Sequence, residues 1–186
     1  MERDLDKDKQ RFLLKLARDS IKHYLEEGEH LNVEAEKGVL KEYRGAFVTI
    51  KQNRQLRGCI GYPTPSYPLY KTIIEAAIMA AAKDPRFHPV DEEEFPDIDI
   101  EISVLSVPKK IKDTSEIKVG KHGIIISKGL HSGLLLPQVP TEYGWDLETY
   151  LRHGCLKAGL EEDAWKKGVD IEIFTAQVFS EKDFSL

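Results

Sequence analysis

Residues 53–68 read NRQLRGCIGYPTPSYP, and within them Arg57, Gly58, Cys59 and Gly61 combine a guanidinium, a thiol and two positions without side chains. If 55–61 is a regular strand, its side chains alternate, so Leu56 and Ile60 face one side while Arg57, Cys59 and Gly61 face the other. A guanidinium beside a thiol favours the thiolate, the form that acts as nucleophile or metal ligand. Gly58 and Gly61 weaken a strand, which points to a bulge, a bend, or a close approach by a ligand or another backbone. The plain structural alternative is a cysteine buried as a small hydrophobe, with glycines that serve packing.

Composition bounds the chemistry. A chain of 186 residues, 41% of them hydrophobic, can bury a real core as a single domain over 1–186 or a main domain carrying a small lobe. The net charge of -5, from 32 acidic and 27 basic residues, gives no domain-wide footprint for nucleic acid. The opening MERDLDKDKQRF lacks an apolar signal core, and the longest apolar run, AAIMAAA at 76–82, is too short to cross a bilayer, so a cytoplasmic protein is expected. Cys59 and Cys155 are far apart and form no CxxC, so reduced thiols are expected. The six histidines include no HExxH and no pair at i, i+4, which leaves no metal site to assign. Neither a Walker A loop nor GxGxxG occurs, so no cofactor is named.

The elements that must position these groups alternate between helix and strand. Residues 6–25 place Phe12, Leu13, Leu16, Ala17, Ile21, Tyr24 and Leu25 on one helical stripe, with Gly28 as its stop. GAFVTIKQNRQLRGCIGY reads as a hairpin turning at Gln52-Asn53-Arg54. A helix follows Pro68 and ends near Asp84, because Pro85 restricts the residue before it. IDIEISVLSV alternates Ile98, Ile100, Ile102 and Val104 against Asp99, Glu101 and Ser103, the pattern of a half-buried antiparallel strand. GIIIS and GLLLP flank KGLHSG as a second hairpin with arms buried on both faces. WDLETYLRHGCLKAGL reads as a helix capped by Asp146 and stopped by Gly159, and DIEIFTAQVFSE closes the chain as one strand. The sum is an α+β fold with a mainly antiparallel sheet and packed helices, and the proline- and acid-rich region within 62–97 is where a smaller lobe is expected. Edge strands of such a sheet offer a route to homo-oligomers.

LRGCIG at 56–61, DPRFHP at 84–89, EISVLS at 101–106, GKHGIIIS at 120–127, LLLPQV at 134–139 and GWDLETYLRHGCLKAGL at 144–160 together resemble the AMMECR family. The match runs in order over most of the chain. The resemblance implies a larger α+β domain with a smaller lobe and a cleft near LRGCIG, and it brings no settled activity. It also implies a place in a pathway with MEMO-type and radical S-adenosylmethionine proteins, which some relatives are fused to or encoded beside.

By position, the family pattern adds Asp84, Arg86, Phe87, His122, Gly123, Pro137, Gln138 and Trp145 to the LRGCIG residues. Many relatives carry Glu where this chain has Gln138, and an amide cannot serve as a general base. His122 would orient or deprotonate Cys59, unless it is simply bonded to backbone at a turn. Arg57 and Arg86 in one cleft would make a fork for a carboxylate or phosphate, whereas Asp84 with Arg86 would be a salt bridge fixing the loop. His153 and Cys155, two apart on a helix, point in different directions.

Two function classes follow. One is an enzyme, or a substrate-handling subunit, in which Cys59 is the nucleophile, Arg57 and His122 support it, and Gly58, Gly61, Arg86 and Gln138 line the substrate site. The other is a non-enzymatic module that uses the cleft and YPTPSYP to bind a small molecule or a protein. An RNA-associated factor is the reserve reading, and the acidic balance speaks against it.

Overall fold

The computed structural model describes residues 5–35 and 38–184, so the first four residues of the opening stretch MERDLDKDKQRF lie outside the described residues. The fold is α+β, with two four-stranded sheets in separate compact units. One unit comprises the chain up to Leu105 together with Gln177 onward, and the other is Ser106–Ala176.

In the first unit, helix α1 (Lys7–Glu27) starts where the Asp6 carboxylate accepts the Lys9 N–H and ends at Gly28, whose φ of 73° only glycine adopts readily. Leu13, Leu16, Ala17 and Ile21 are buried as the stripe requires. Phe12 is not: it is 41% exposed, and Leu14 is buried in its place. At roughly 100° per residue Phe12 lies about 140° round the helix from Ala17, too far to reach the core.

Strands β1 (Ala46–Gln52) and β2 (Gln55–Tyr62) form the first hairpin. Its two-residue turn puts Asn53 and Arg54 at φ of 52° and 66°, the left-handed pair whose twist suits a tight hairpin. The register then slips, with Lys51 opposite Leu56 and Ile50 opposite Gly58. Arg57 is therefore the extra residue of a bulge. This corrects the expected alternation: Leu56, 45% exposed, shares a strand face with Cys59, while Ile60 faces the other way beside Val48.

Helix α2 (Leu69–Ala82) follows Pro68, and β3 (Ile98–Leu105) pairs with β1 and buries Ile98, Ile100, Ile102 and Val104. Segment 62–97, where a smaller lobe was expected, therefore holds α2, whose Ile73 and Ala77 join the core of the first unit. The small residues of α2 let its backbone approach the sheet closely. A Cβ on Gly58 would lie 2.1 Å from the Ala80 carbonyl oxygen, and one on Gly61 would lie 2.4 Å from both the Ala46 oxygen and the Phe47 ring.

The second unit contains β4 (Lys109–Lys110), β5 (Gly123–Lys128), β6 (His131–Leu135), the short α3 (Val139–Glu142), α4 (Leu147–Lys157) and β7 (Asp170–Phe174). Asp146 caps α4 by accepting the Thr149 N–H, and Gly159 beyond it has φ of 71°. Ile124, Ile126, Tyr150, Leu151 and Cys155 are buried together. The β5–β6 hairpin is one-sided rather than buried on both faces: Ile125 and Leu134, opposite each other, stay half-exposed, because α4 covers only the face carrying Ile124 and Ile126. The closing strand is two, since the chain leaves β7 at Thr175 and begins β8 (Ala176–Ser180). The sheet orders are β2-β1-β3-β8 and β4-β7-β5-β6.

Gly58→Ala should cost about 2–3 kcal/mol in urea denaturation, because the added methyl meets backbone rather than a movable side chain. A loss under about 0.5 kcal/mol would mean that α2 retreats freely.

Candidate functional site

β2 is an edge strand of its sheet, so the backbone groups on its outer side need partners from elsewhere. The turn after α2 supplies them. Asp84, with its side chain 1% exposed, accepts the Cys59 N–H at 2.9 Å, and Arg86 Nη2 donates to the Cys59 carbonyl at 3.2 Å. Asp84 also accepts from the Arg86 N–H at 3.1 Å, Nε at 2.9 Å and Nη2 at 2.7 Å. The Arg86 guanidinium is the main cause holding the Asp84 carboxyl well below the usual carboxylate range, burial opposing it and the two backbone N–H bonds adding to it.

Arg57 turns away from the sulfur. Its Nε and Nη2 bind the two oxygens of Glu94 at 2.5 and 2.8 Å, with both side chains 16% exposed. Nη1 is buried and makes no hydrogen bond among the described residues. The Arg57 and Arg86 guanidiniums lie 6.0 and 5.4 Å from the centre of the Phe87 ring. Beside them is a cavity of about 430 Å³ lined by Arg57, Pro85, Arg86, Phe87 and His88, and Cys59 is not part of that lining.

The Cys59 thiol is half-buried and accepts a hydrogen bond from the Thr49 hydroxyl at 3.2 Å. Thr49 is directly opposite Cys59 on β1 and opposite Glu101 on β3, so thiol, hydroxyl and carboxylate form one row across three strands. Lys51 holds Glu101 at 2.9 Å.

The first unit thus brings Arg57, Gly58, Cys59, Gly61, Asp84, Arg86 and Phe87 into one neighbourhood, with the two glycines occupied by close packing. His122 and Gln138 belong to the second unit. His122 is bonded at a turn: its N–H donates to the Lys118 carbonyl at 2.9 Å, and its Nδ1 accepts the Lys118 N–H at 3.2 Å. Burial first, then Lys121, lowers its pKa, and with Nδ1 accepting, the neutral ring carries its proton on Nε2. Gln138 precedes α3, its carbonyl accepting the Thr141 and Glu142 N–H groups at 3.1 and 3.0 Å. Cys155 is fully buried, which raises its pKa, and His153 stacks on Trp145 with ring centres 3.9 Å apart. No group of His, Cys, Asp and Glu suited to a metal occurs among the described residues.

Sequence reasoning missed Thr49 and Glu94. Counting back from the two-residue turn pairs Thr49 with Gly58, and only the bulge moves its partner to Cys59. Glu94 sits in an acidic run, DEEEF, where nothing distinguishes one carboxylate from its neighbours.

The family model AMMECR1 matches residues 14–179. The chain belongs to the AMMECR1 family. It is 48% identical over 182 residues to Protein MK0488 of Methanopyrus kandleri, covering 92% of this chain and 88% of that one. It is likewise 48% identical over 179 residues to Protein MJ0810 of Methanocaldococcus jannaschii, covering 91% and 89%. The crystal structure of the uncharacterized protein PH0010 from Pyrococcus horikoshii is similar with a TM-score of 0.82 at 44% identity, covering 91% of this chain and 89% of that one. Among the described residues of this family member, no helix is long and apolar enough to cross a membrane.

Because the folded Asp84 pKa is lowered, the carboxylate stabilises the fold above its unfolded value of about 3.9, and that contribution drains away as pH falls below about 4. Asp84→Asn should therefore lose about 3 kcal/mol at pH 7 and show a shallower loss of stability between about pH 5 and pH 2 than the parent. Denaturant melts across that range check this, and parallel acid limbs would remove Asp84 as the cause.

Proposed function

We propose that this AMMECR1-family protein acts in the cytoplasm through the Cys59 thiol, as an enzyme or as the substrate-handling subunit of one. What carries the reading is the way Cys59 is held: a half-buried sulfur receives a hydroxyl hydrogen bond from Thr49, while its own N–H and C=O are both clamped by Asp84 and Arg86. A nucleophile benefits from such fixation, because a fixed geometry lowers the entropy lost on reaching the transition state. The reaction class is acyl or group transfer. The sulfur attacks an electrophilic carbon, the leaving group departs with the thiol proton, and a second nucleophile takes the group and restores the thiol.

Arg57 and Arg86 are positioning residues in this scheme, since each already holds a carboxylate. The cavity that Arg57 lines with Arg86 and Phe87 suits a carbonyl or carboxylate on the substrate. Gly58 and Gly61 shape the strand on either side of the thiol in this scheme, whereas His122 and Gln138 belong to the second unit and have no part in it. From the family resemblance, the proposal extends to a pathway shared with MEMO-type and radical S-adenosylmethionine proteins.

A second reading, a binding module without chemistry, is favoured by one observation: Gly58, Asp84 and Arg86 already serve packing and edge protection. The two separate at one residue. With Cys155 fully buried, native protein at pH 7.5 should take up a single equivalent of iodoacetamide, at Cys59. Activated acyl esters and thioesters should leave a mass adduct there, lost in Cys59→Ser and at least several-fold slower to form in Thr49→Val. Modification of Cys59 only after unfolding would end the enzymatic reading and leave the binding module.

A further inference from the structure

A second cavity, of about 390 Å³, lies in the first unit at the opposite end of β2 from the Arg57 bulge. Its size is within the range of small-molecule sites. Leu31, Val33 and Ile74 supply an apolar side, and Tyr62 and Tyr67 stand edge to face with ring centres 6.1 Å apart. Opposite charges come from one face of α2, where Lys71 and Glu75 are four residues apart.

Those two side chains do not pair with each other. Glu75 Oε1 is taken by His30 Nδ1 at 2.8 Å, while Lys71 has no carboxylate partner among the described residues. Lys71 rests 6.0 Å from the ring centre of Tyr70. The hydroxyls of Tyr62 and Tyr67 and the amide of Asn32 make no hydrogen bond to described residues either. Burial first, and Glu75 next, raise the Tyr62 pKa, so its phenol stays protonated and able to donate.

The cavity therefore combines a cation, a carboxylate with one oxygen unused by hydrogen bonds, two phenols and an apolar wall. A simple anion would meet Glu75, and a simple cation would meet Lys71. A molecule carrying both charges close together meets neither penalty. Side-chain origins about 5–6 Å apart on the helix suit charges separated by one or two bonds of a small molecule.

We infer that this cavity binds a free α-amino acid with an apolar or aromatic side chain, its carboxylate at Lys71, its ammonium at Glu75 and its side chain against Ile74, Val33 and the tyrosine pair. The site shares no residue with the Cys59 chemistry and goes beyond that reading. It would serve as a substrate or effector site on the same unit.

Calorimetric titration of the full chain with L-tryptophan, L-phenylalanine and L-leucine tests it, with tryptamine and indole-3-propionate as probes lacking one charge each. At least one amino acid should bind with a millimolar or lower Kd. The two single-charge probes should bind about tenfold or more weakly than L-tryptophan, and Lys71→Gln and Glu75→Gln should each weaken the amino acid by a similar factor. Both variants replace side chains at the surface of α2, and an unchanged thermal melt shows that they fold. Equal binding of indole-3-propionate, no effect of the two variants, or no binding by any of the three amino acids at 10-fold above about 1 mM would overturn the assignment. Cys59→Ser should leave the titration unchanged, which separates failure here from failure of the thiol chemistry.

Discussion

One buried carboxylate ties the first unit together. Asp84 sits two residues beyond α2, where it accepts a backbone hydrogen bond from the edge strand and holds the guanidinium that returns to the same strand. A carboxylate 1% exposed must be satisfied by hydrogen bonds and an opposite charge, or its desolvation would destabilise the fold by several kcal/mol. Asp84 satisfies that need with four donors. The consequence reaches the sheet, because the outward N–H and C=O of Cys59 are both engaged. At this point β2 offers no template for another strand.

That clamp also accounts for the bulge and for Gly58. With Cys59 fixed from outside and Thr49 opposite it on β1, the slip between Leu56 and Gly58 puts Arg57 out of the ladder and lets it reach Glu94. Gly58 then lies beneath the Ala80 carbonyl, where no side chain fits. The Arg57 bulge and Gly58 follow from how closely α2 and the turn after it approach the hairpin, while Gly61 lies against Ala46 and Phe47 of β1.

Much of this fold was legible locally. Asp6, Gly28, Asp146 and Gly159 mark helix ends by capping chemistry that depends on a few neighbouring residues, and Ile98, Ile100, Ile102 and Val104 declare β3 by alternation alone. What was not legible depends on partners distant in sequence. Gly58 and Gly61 signal an irregularity in residues 55–61, but nothing local says that Arg57 is the residue left out of the ladder. Residues 170–180 keep a strand-like composition through Thr175, yet they serve two sheets, which only the pairing of β7 with β5 and of β8 with β3 decides. Glu94 became visible only once Arg57 was seen to point toward it.

The electrostatics around the thiol follow from the same saturation. Arg57 and Arg86 each carry a carboxylate of their own, so neither leaves an uncompensated positive charge for the sulfur. The group that does reach it is the Thr49 hydroxyl, whose single O–H is donated to Cys59. Glu101, opposite Thr49 on β3, is bound by Lys51 at 2.9 Å from within the same strand as Thr49. The thiol is thus solvated by a hydroxyl from the neighbouring strand, while the carboxylate of the same row is paired with a lysine.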